Sequence, residues 1–104
     1  MMGTVARWTT PTFTYTPSLV VAADIVDIRM CFKQNGRNVF VKTLEQATLD
    51  DGTFYWDLSQ EETGTFMSLK QLDVKVDYKD VNAKRYTTKT KTYKIDESGI
   101  NEVI

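Results

Sequence analysis

Histidine is absent from this chain, which removes the commonest general base and the commonest transition-metal ligand together. Cysteine is nearly absent. Cys31 stands alone, so no internal disulfide can form, which suits synthesis in a reducing cytoplasm. Zinc sites draw on clustered Cys and His, and no metal or other cofactor is expected. Long apolar runs are missing as well: the longest, Leu19-Val20-Val21-Ala22-Ala23, stops at Asp24, far short of a bilayer span. No charged segment leads into an apolar stretch at the N-terminus, so neither a secretory signal nor a membrane partner is expected. Excess charge of either sign is lacking too. Thirteen basic and 14 acidic residues leave a formal net charge of −1, a balance that does not draw the molecule toward nucleic acid. Two prolines and five glycines punctuate the 104 residues sparsely, without repeats or low-complexity linkers.

What is there is alternation. With 41% hydrophobic and 26% charged residues, the chain has ordinary globular composition and the length of a single domain, residues 1–104. β-Branched and aromatic residues recur with period two, the mark of half-buried strands. Thr12 to Thr16, bracketed by Pro11 and Pro17, reads as a first strand at a sheet edge, with Phe13 and Tyr15 on one face. Ile25 to Gln34 is a second strand, in which Val26, Ile28, Met30 and Phe32 alternate with Asp27, Arg29, Cys31 and Lys33. Asn35-Gly36 predicts a type I′ hairpin turn into Arg37–Thr43. Leu44 to Leu49 is a loop or ragged strand; Asp50-Asp51-Gly52 turns into Thr53–Leu58, where Phe54, Trp56 and Leu58 share a face.

Ser59 and Glu62 have the spacing of a capping box, and Gly64 limits the helix to one or two turns. Phe66, Met67 and Leu69 are expected to anchor that crossover. Leu72, Val74, Val76 and Tyr78 alternate with Asp73, Lys75, Asp77 and Lys79 in the clearest strand. A last strand over Arg85–Ile95 has an ambiguous core face, because Tyr86 and Tyr93 fall on opposite parities. Residues 1–10, including Trp8, and residues 96–104 read as terminal arms. The pattern predicts an all-β fold: a small immunoglobulin-like two-sheet sandwich of six or seven strands with one short helical crossover. A partly closed barrel is the alternative.

Candidate chemistry is sparse. Asp50-Asp51-Gly52 lacks the spaced oxygen ligands of a calcium loop. Cys31 has no histidine to activate it, and the Ser and Thr hydroxyls have no partner base. Glu61 and Glu62 are adjacent, which does not make an acid/base couple. No catalytic, cofactor-binding or metal residues are assigned, and no enzymatic activity is expected. Lys84, Arg85, Lys89, Lys91 and Lys94, interleaved with Tyr86 and Tyr93, allow single-stranded nucleic acid; an edge strand whose lysines block unwanted pairing is the favoured reading.

Several motifs, in order, resemble a known family. Thr9-Thr10-Pro11-Thr12-Phe13-Thr14-Tyr15 resembles the opening of small proteins from the tail-gene region of Firmicutes prophages. Phe32-Lys33-Gln34-Asn35-Gly36 resembles their strand and turn, Leu58-Ser59-Gln60-Glu61-Glu62-Thr63 with Phe66 their crossover, and Leu72-Asp73-Val74-Lys75-Val76 their late strand. These proteins are similar in turn to the immunoglobulin-like N-terminal domain of phage baseplate upper proteins, which attach receptor-binding proteins to the tail tip. The resemblance spans about Thr9 to Ile95 and implies a non-catalytic structural role. Its implied partners are other tail or baseplate proteins and further copies of the chain; its implied locations are the virion tail and, during assembly, the host cytoplasm. This chain carries no fibre or receptor-binding domain after the sandwich, which favours an accessory or connector subunit. A free-standing module for a bacterial surface glycan or protein is the alternative.

If the protein works by assembly, its ends offer the contacts: Phe13 and Tyr15 on the edge strand, which can extend a neighbour's sheet, and Ile100, Val103 and Ile104 in the tail. The alternation also makes a sharp prediction. Val74→Asp places an unpaired carboxylate in the core and abolishes folding, whereas Lys75→Asp is tolerated; circular dichroism of the two variants checks this.

Overall fold

A computed structural model describes residues 2–100 and 102–104. It contains nine strands, β1 (Gly3–Ala6), β2 (Thr12–Tyr15), β3 (Ile25–Gln34), β4 (Arg37–Thr43), β5 (Thr48–Asp50), β6 (Thr53–Asp57), β7 (Leu72–Asp80), β8 (Arg85–Thr87) and β9 (Lys91–Asp96), and one α-helix, α1 (Gln60–Gly64). Two sheets pack as a sandwich. One has the order β1-β9-β7-β3-β4, with β8 also on β7; the other has the order β2-β6-β5. In chain order, β2, β6 and β5 take the places of immunoglobulin strands B, E and D, and β3, β7 and β9 those of C, F and G.

The strand count exceeds six or seven for local reasons. Residues 3–6 are not an arm: Val5 is buried and the segment pairs parallel with β9, from Gly3 opposite Tyr93 to Ala6 opposite Asp96. One inward apolar residue in four gives no readable alternation. The ragged stretch after β4 holds a 3₁₀ turn and the short β5. The last strand is broken. At the break Thr88 N–H donates to Val76 C=O (2.9 Å), and the Thr88 hydroxyl accepts from Val76 N–H (3.0 Å), so a side chain replaces one rung of the ladder. The shift in phase puts Tyr86 opposite Tyr78 and Tyr93 opposite Leu72, both toward the core. That resolves the parity conflict.

The tight turns follow the residue chemistry. Asn35 and Gly36 have φ of 54° and 74°, and Asp51 and Gly52 have φ of 49° and 78°, the left-handed values a type I′ turn requires. The inward faces are those the alternation predicts, with two differences. A bulge between Ile25 and Asp27 buries Ile25 and turns Val26 outward, 48% exposed. In the segment after α1 only Phe66 anchors, being 1% exposed, while Met67 and Leu69 face solvent.

Trp56, Phe54, Phe32, Phe66, Ile28, Leu58 and Leu72 form the fully buried centre, each contributing roughly 1.5–3 kcal/mol by burial. Trp56 also donates its indole N–H to Thr43 C=O at 2.9 Å, tying β6 to the other sheet.

Side chains clip the loops to this core. Gln34 is buried, accepts from Met67 N–H (2.8 Å) and donates to Met67 C=O (2.9 Å). Thr63 makes the same kind of pair with the backbone of Thr9. Trp8, expected in an arm, is half-buried beside α1. Gly64 permits this, because a Cβ there would lie 2.6 Å from the Trp8 ring. Gly64→Ala is therefore expected to cost about 1–3 kcal/mol. The cost should shrink in combination with Trp8→Ala, and denaturant melts of the single and double variants measure that coupling.

Candidate functional site

A groove and a free strand edge lie beside β2. Among the described residues its only strand partner is β6, through Thr12–Asp57, Phe13–Trp56, Thr14–Tyr55 and Tyr15–Phe54. Immunoglobulin sheets place strand A on the far side of B; here β1 has joined the other sheet, and among the described residues the far edge of β2 has no strand partner. Leu58 N–H donates to Pro11 C=O at 3.0 Å. Antiparallel hydrogen-bonded pairs recur every second residue, so Phe13 and Tyr15 turn their backbone groups toward β6. The amides and carbonyls of Thr12, Thr14 and Thr16 face outward, and all three residues are exposed.

Below that edge runs a groove of about 570 Å³ between the sheets. Val5, Met30, Val74 and Val76 give it an apolar floor, and Tyr15, Tyr93, Lys89 and Lys91 flank it. Among the described residues neither Lys89 nor Lys91 forms an ion pair. Burial, and after it the Tyr78 hydroxyl, push the Tyr15 phenol up to about 12. Burial raises Tyr93 as well. Both phenols are thus neutral near pH 7, and the groove's charge comes from its lysines.

The five expected contact residues are not brought together. Phe13 is a core residue, 7% exposed, with its ring edge-on to Phe32 (5.0 Å) and Tyr93 (5.4 Å). It also borders the groove, beside the outward backbone of β2. Tyr15 is half-buried at the groove. Ile100, Val103 and Ile104 are exposed in the C-terminal segment, which starts after Asp96, the last residue of β9. Arg7 pairs with Glu97 at 3.0 Å, and Ile104 N–H donates to Gln60 Oε1 at 2.7 Å. None of these tail residues lines the groove.

A second feature sits at the end of the sandwich where the β2–β3 and β7–β8 loops meet. Val81 N–H donates to Asp24 C=O at 2.9 Å, joining the loops, and Leu19, Val21, Val26 and Val81 are all exposed there. Asp80 holds the second loop: its carboxylate accepts from Asn82 N–H, Lys84 N–H and the Tyr86 hydroxyl. Burial pushes the Asp80 carboxyl up, but those hydrogen bonds outweigh it and hold the group below its usual range. Sequence reading missed this feature because the Leu19–Ala23 run, Val26 and Val81 are far apart in the chain and meet only where the fold joins the two loops.

The outer face of the larger sheet is a charged lattice. Asp27 lies opposite Lys79, Arg29 opposite Asp77 and Lys33 opposite Asp73, the arrangement of a solvated face. Cys31 sits within it, half-buried. Burial and then Asp77 raise its thiol, against Lys33, Arg29 and Lys75, so the thiolate is disfavoured. The basic series after Asp80 does not form one strip. Lys84 lies over Tyr86 at the turn, Lys89 and Lys91 flank the groove, and the strand between is broken. Tyr86 stacks on Tyr78 at 4.8 Å, and Tyr93 meets Phe13, so both rings are engaged inward. Among the described residues no group of three or more His, Cys, Asp and Glu could hold a metal ion, and no helix is long and apolar enough to cross a membrane.

Comparison of the chain with protein-family models, curated proteins and solved structures finds no match. The resemblance to tail proteins rests on the motifs alone.

Lys42 was also missed, although its phase with Phe40 on β4 was legible. It lies on the inward face opposite Met30, 7% exposed, and its ammonium meets Glu62 Oε2 at 2.6 Å. Glu62 Oε1 accepts from Ser59 N–H at 2.8 Å, closing the expected capping box. Burial raises the Glu62 carboxyl, but Lys42 and the Ser59 amide prevail and hold it below its ordinary value. A depressed folded pKa adds stability above the unfolded value, near 4.5, that is lost as pH falls through the folded one. Glu62→Gln is expected to cost about 1–2 kcal/mol at pH 7, with a smaller difference at pH 3, in denaturant melts at the two pH values.

Proposed function

We propose that this protein is a non-catalytic structural component of a bacteriophage tail or baseplate, and that it works by protein–protein assembly through the free edge of β2 and the groove beneath it. The observation that carries the assembly reading is the row of outward backbone groups at Thr12, Thr14 and Thr16 above an apolar groove. Unpaired edges accept strands from other chains unless they are blocked, and no charged side chain stands on β2. The tail assignment is supported by the ordered motifs from Thr9 to Ile95. Its locations would be the virion tail and, before that, the host cytoplasm.

A second reading has its own observation. Exposed Leu19, Val21 and Val81 lie on two loops at one end of the sandwich, the kind of loop cluster that immunoglobulin variable domains use for binding. That favours a module that grips a protein or glycan on a bacterial surface.

Thr14→Pro separates the two. Proline removes an outward N–H, a change edge strands accommodate, and stability should shift by no more than about 1 kcal/mol. Incorporation into particles, read by mass spectrometry of purified virions, is expected to fall at least tenfold. A wild-type protein absent from virions defeats the tail assignment, and full incorporation of the variant defeats the role of the β2 edge.

A further inference from the structure

We infer that the strand accepted by the β2 edge is the C-terminal segment, residues 97–104, of a second copy of this chain. The inference rests on the assembly reading above and names the partner. Three features of the acceptor define its ligand. The outward amides and carbonyls of Thr12, Thr14 and Thr16 require an extended backbone. The floor of Val5, Met30, Val74 and Val76 requires apolar side chains on the strand's inner face. Lys89 and Lys91, without ion-pair partners among the described residues, require acid. Lys91 lies opposite Val74, so a carboxylate would be met on the groove side of the incoming strand.

The segment Glu97-Ser98-Gly99-Ile100-Asn101-Glu102-Val103-Ile104 meets these requirements. In an extended strand alternate residues share a face, which places Ile100, Glu102 and Ile104 together: two aliphatic side chains for the floor and one carboxylate between them for Lys91. The segment has two acidic residues and no basic one; Glu97 already pairs with Arg7 of its own chain, which leaves Glu102 as the carboxylate for the groove lysines. Within its own chain it is poorly accommodated. Ile100, Val103 and Ile104 are 50%, 49% and 84% exposed, and Ile104 is held by the Gln60 side chain through two hydrogen bonds. Transfer to a neighbour's groove exchanges those two bonds for a β-ladder and removes aliphatic surface from water, and the Arg7–Glu97 pair at the base of the segment can stay in place as the residues beyond it cross over. One surface of a copy then meets a different surface of the next, a head-to-tail contact that closes into a ring or continues as a filament.

The test is sedimentation velocity across a concentration series, with fluorescence anisotropy of a labelled peptide of residues 97–104. Full-length protein is expected to self-associate, and a chain ending at Asp96 to remain monomeric with an unchanged circular dichroism spectrum. The peptide should bind that shortened chain. Thr14→Pro and Lys91→Glu should each weaken peptide binding at least tenfold, and a Glu102→Lys peptide should regain affinity for Lys91→Glu. Full-length protein that stays monomeric, together with a peptide that does not bind, overturns the inference. Association that survives loss of the tail but not Thr14→Pro also overturns it while leaving the β2 edge as an assembly surface. Association indifferent to Thr14→Pro defeats both.

Discussion

The Phe32 ring is the contact on which the two-sheet arrangement turns. It is fully buried on β3, edge-on to Phe13 at 5.0 Å, tilted against Phe40 at 4.8 Å and within 6.3 Å of Phe66. Those partners lie on β2, on β4 and just beyond α1, so one side chain joins both sheets and the crossover. Aromatic pairs of this kind add about 0.5–1.5 kcal/mol each beyond burial. Their directional preference also fixes how the sheets sit. With no disulfide available, this ring cluster and the Trp56–Thr43 hydrogen bond supply cross-sheet specificity.

Around that centre, polar side chains do the work of backbone. Gln34 pairs with Met67, Thr63 with Thr9 and Thr88 with Val76, each through a side chain that imitates a peptide group. These clips let short, irregular segments lie against the sandwich without leaving backbone groups unsatisfied. Lys42 and Glu62 obey the same logic with charge: the ammonium cannot be buried alone on the inner face of β4, and the capping carboxylate of α1 is placed to meet it.

Strands with long alternation were legible from sequence. β3 and β4 begin and end where the pattern does, the type I′ turn follows from Asn35-Gly36, and Asp51-Gly52 marks the other turn. The capping box was legible because its two residues are local. What escaped was set by distant contact. β1 is a strand only because β9 accepts it, and Trp8 is half-buried only because Gly64 leaves room. Val26 faces out because of a bulge that no residue type announces. The candidate site was half legible. An edge strand bracketed by prolines is readable, and so is the shared face of Phe13 and Tyr15, which borders the groove. The outward backbone row is not readable, and the groove exists only because β1 and β2 belong to different sheets.

The parallel pairing of β1 and β9 has a mechanical consequence. Gly3 opens β1 at one end of their pairing, and Asp96 closes β9 at the other, with the strands side by side from Gly3–Tyr93 to Ala6–Asp96. Tension between the two ends of the chain therefore pulls the strands past each other lengthwise. Every hydrogen bond between them bears load at once, instead of opening in sequence from one end like a zipper. Resistance to such force is governed by the rate of unfolding. A four-residue strand thus acts as a shear clamp between the first and the last strand of the fold.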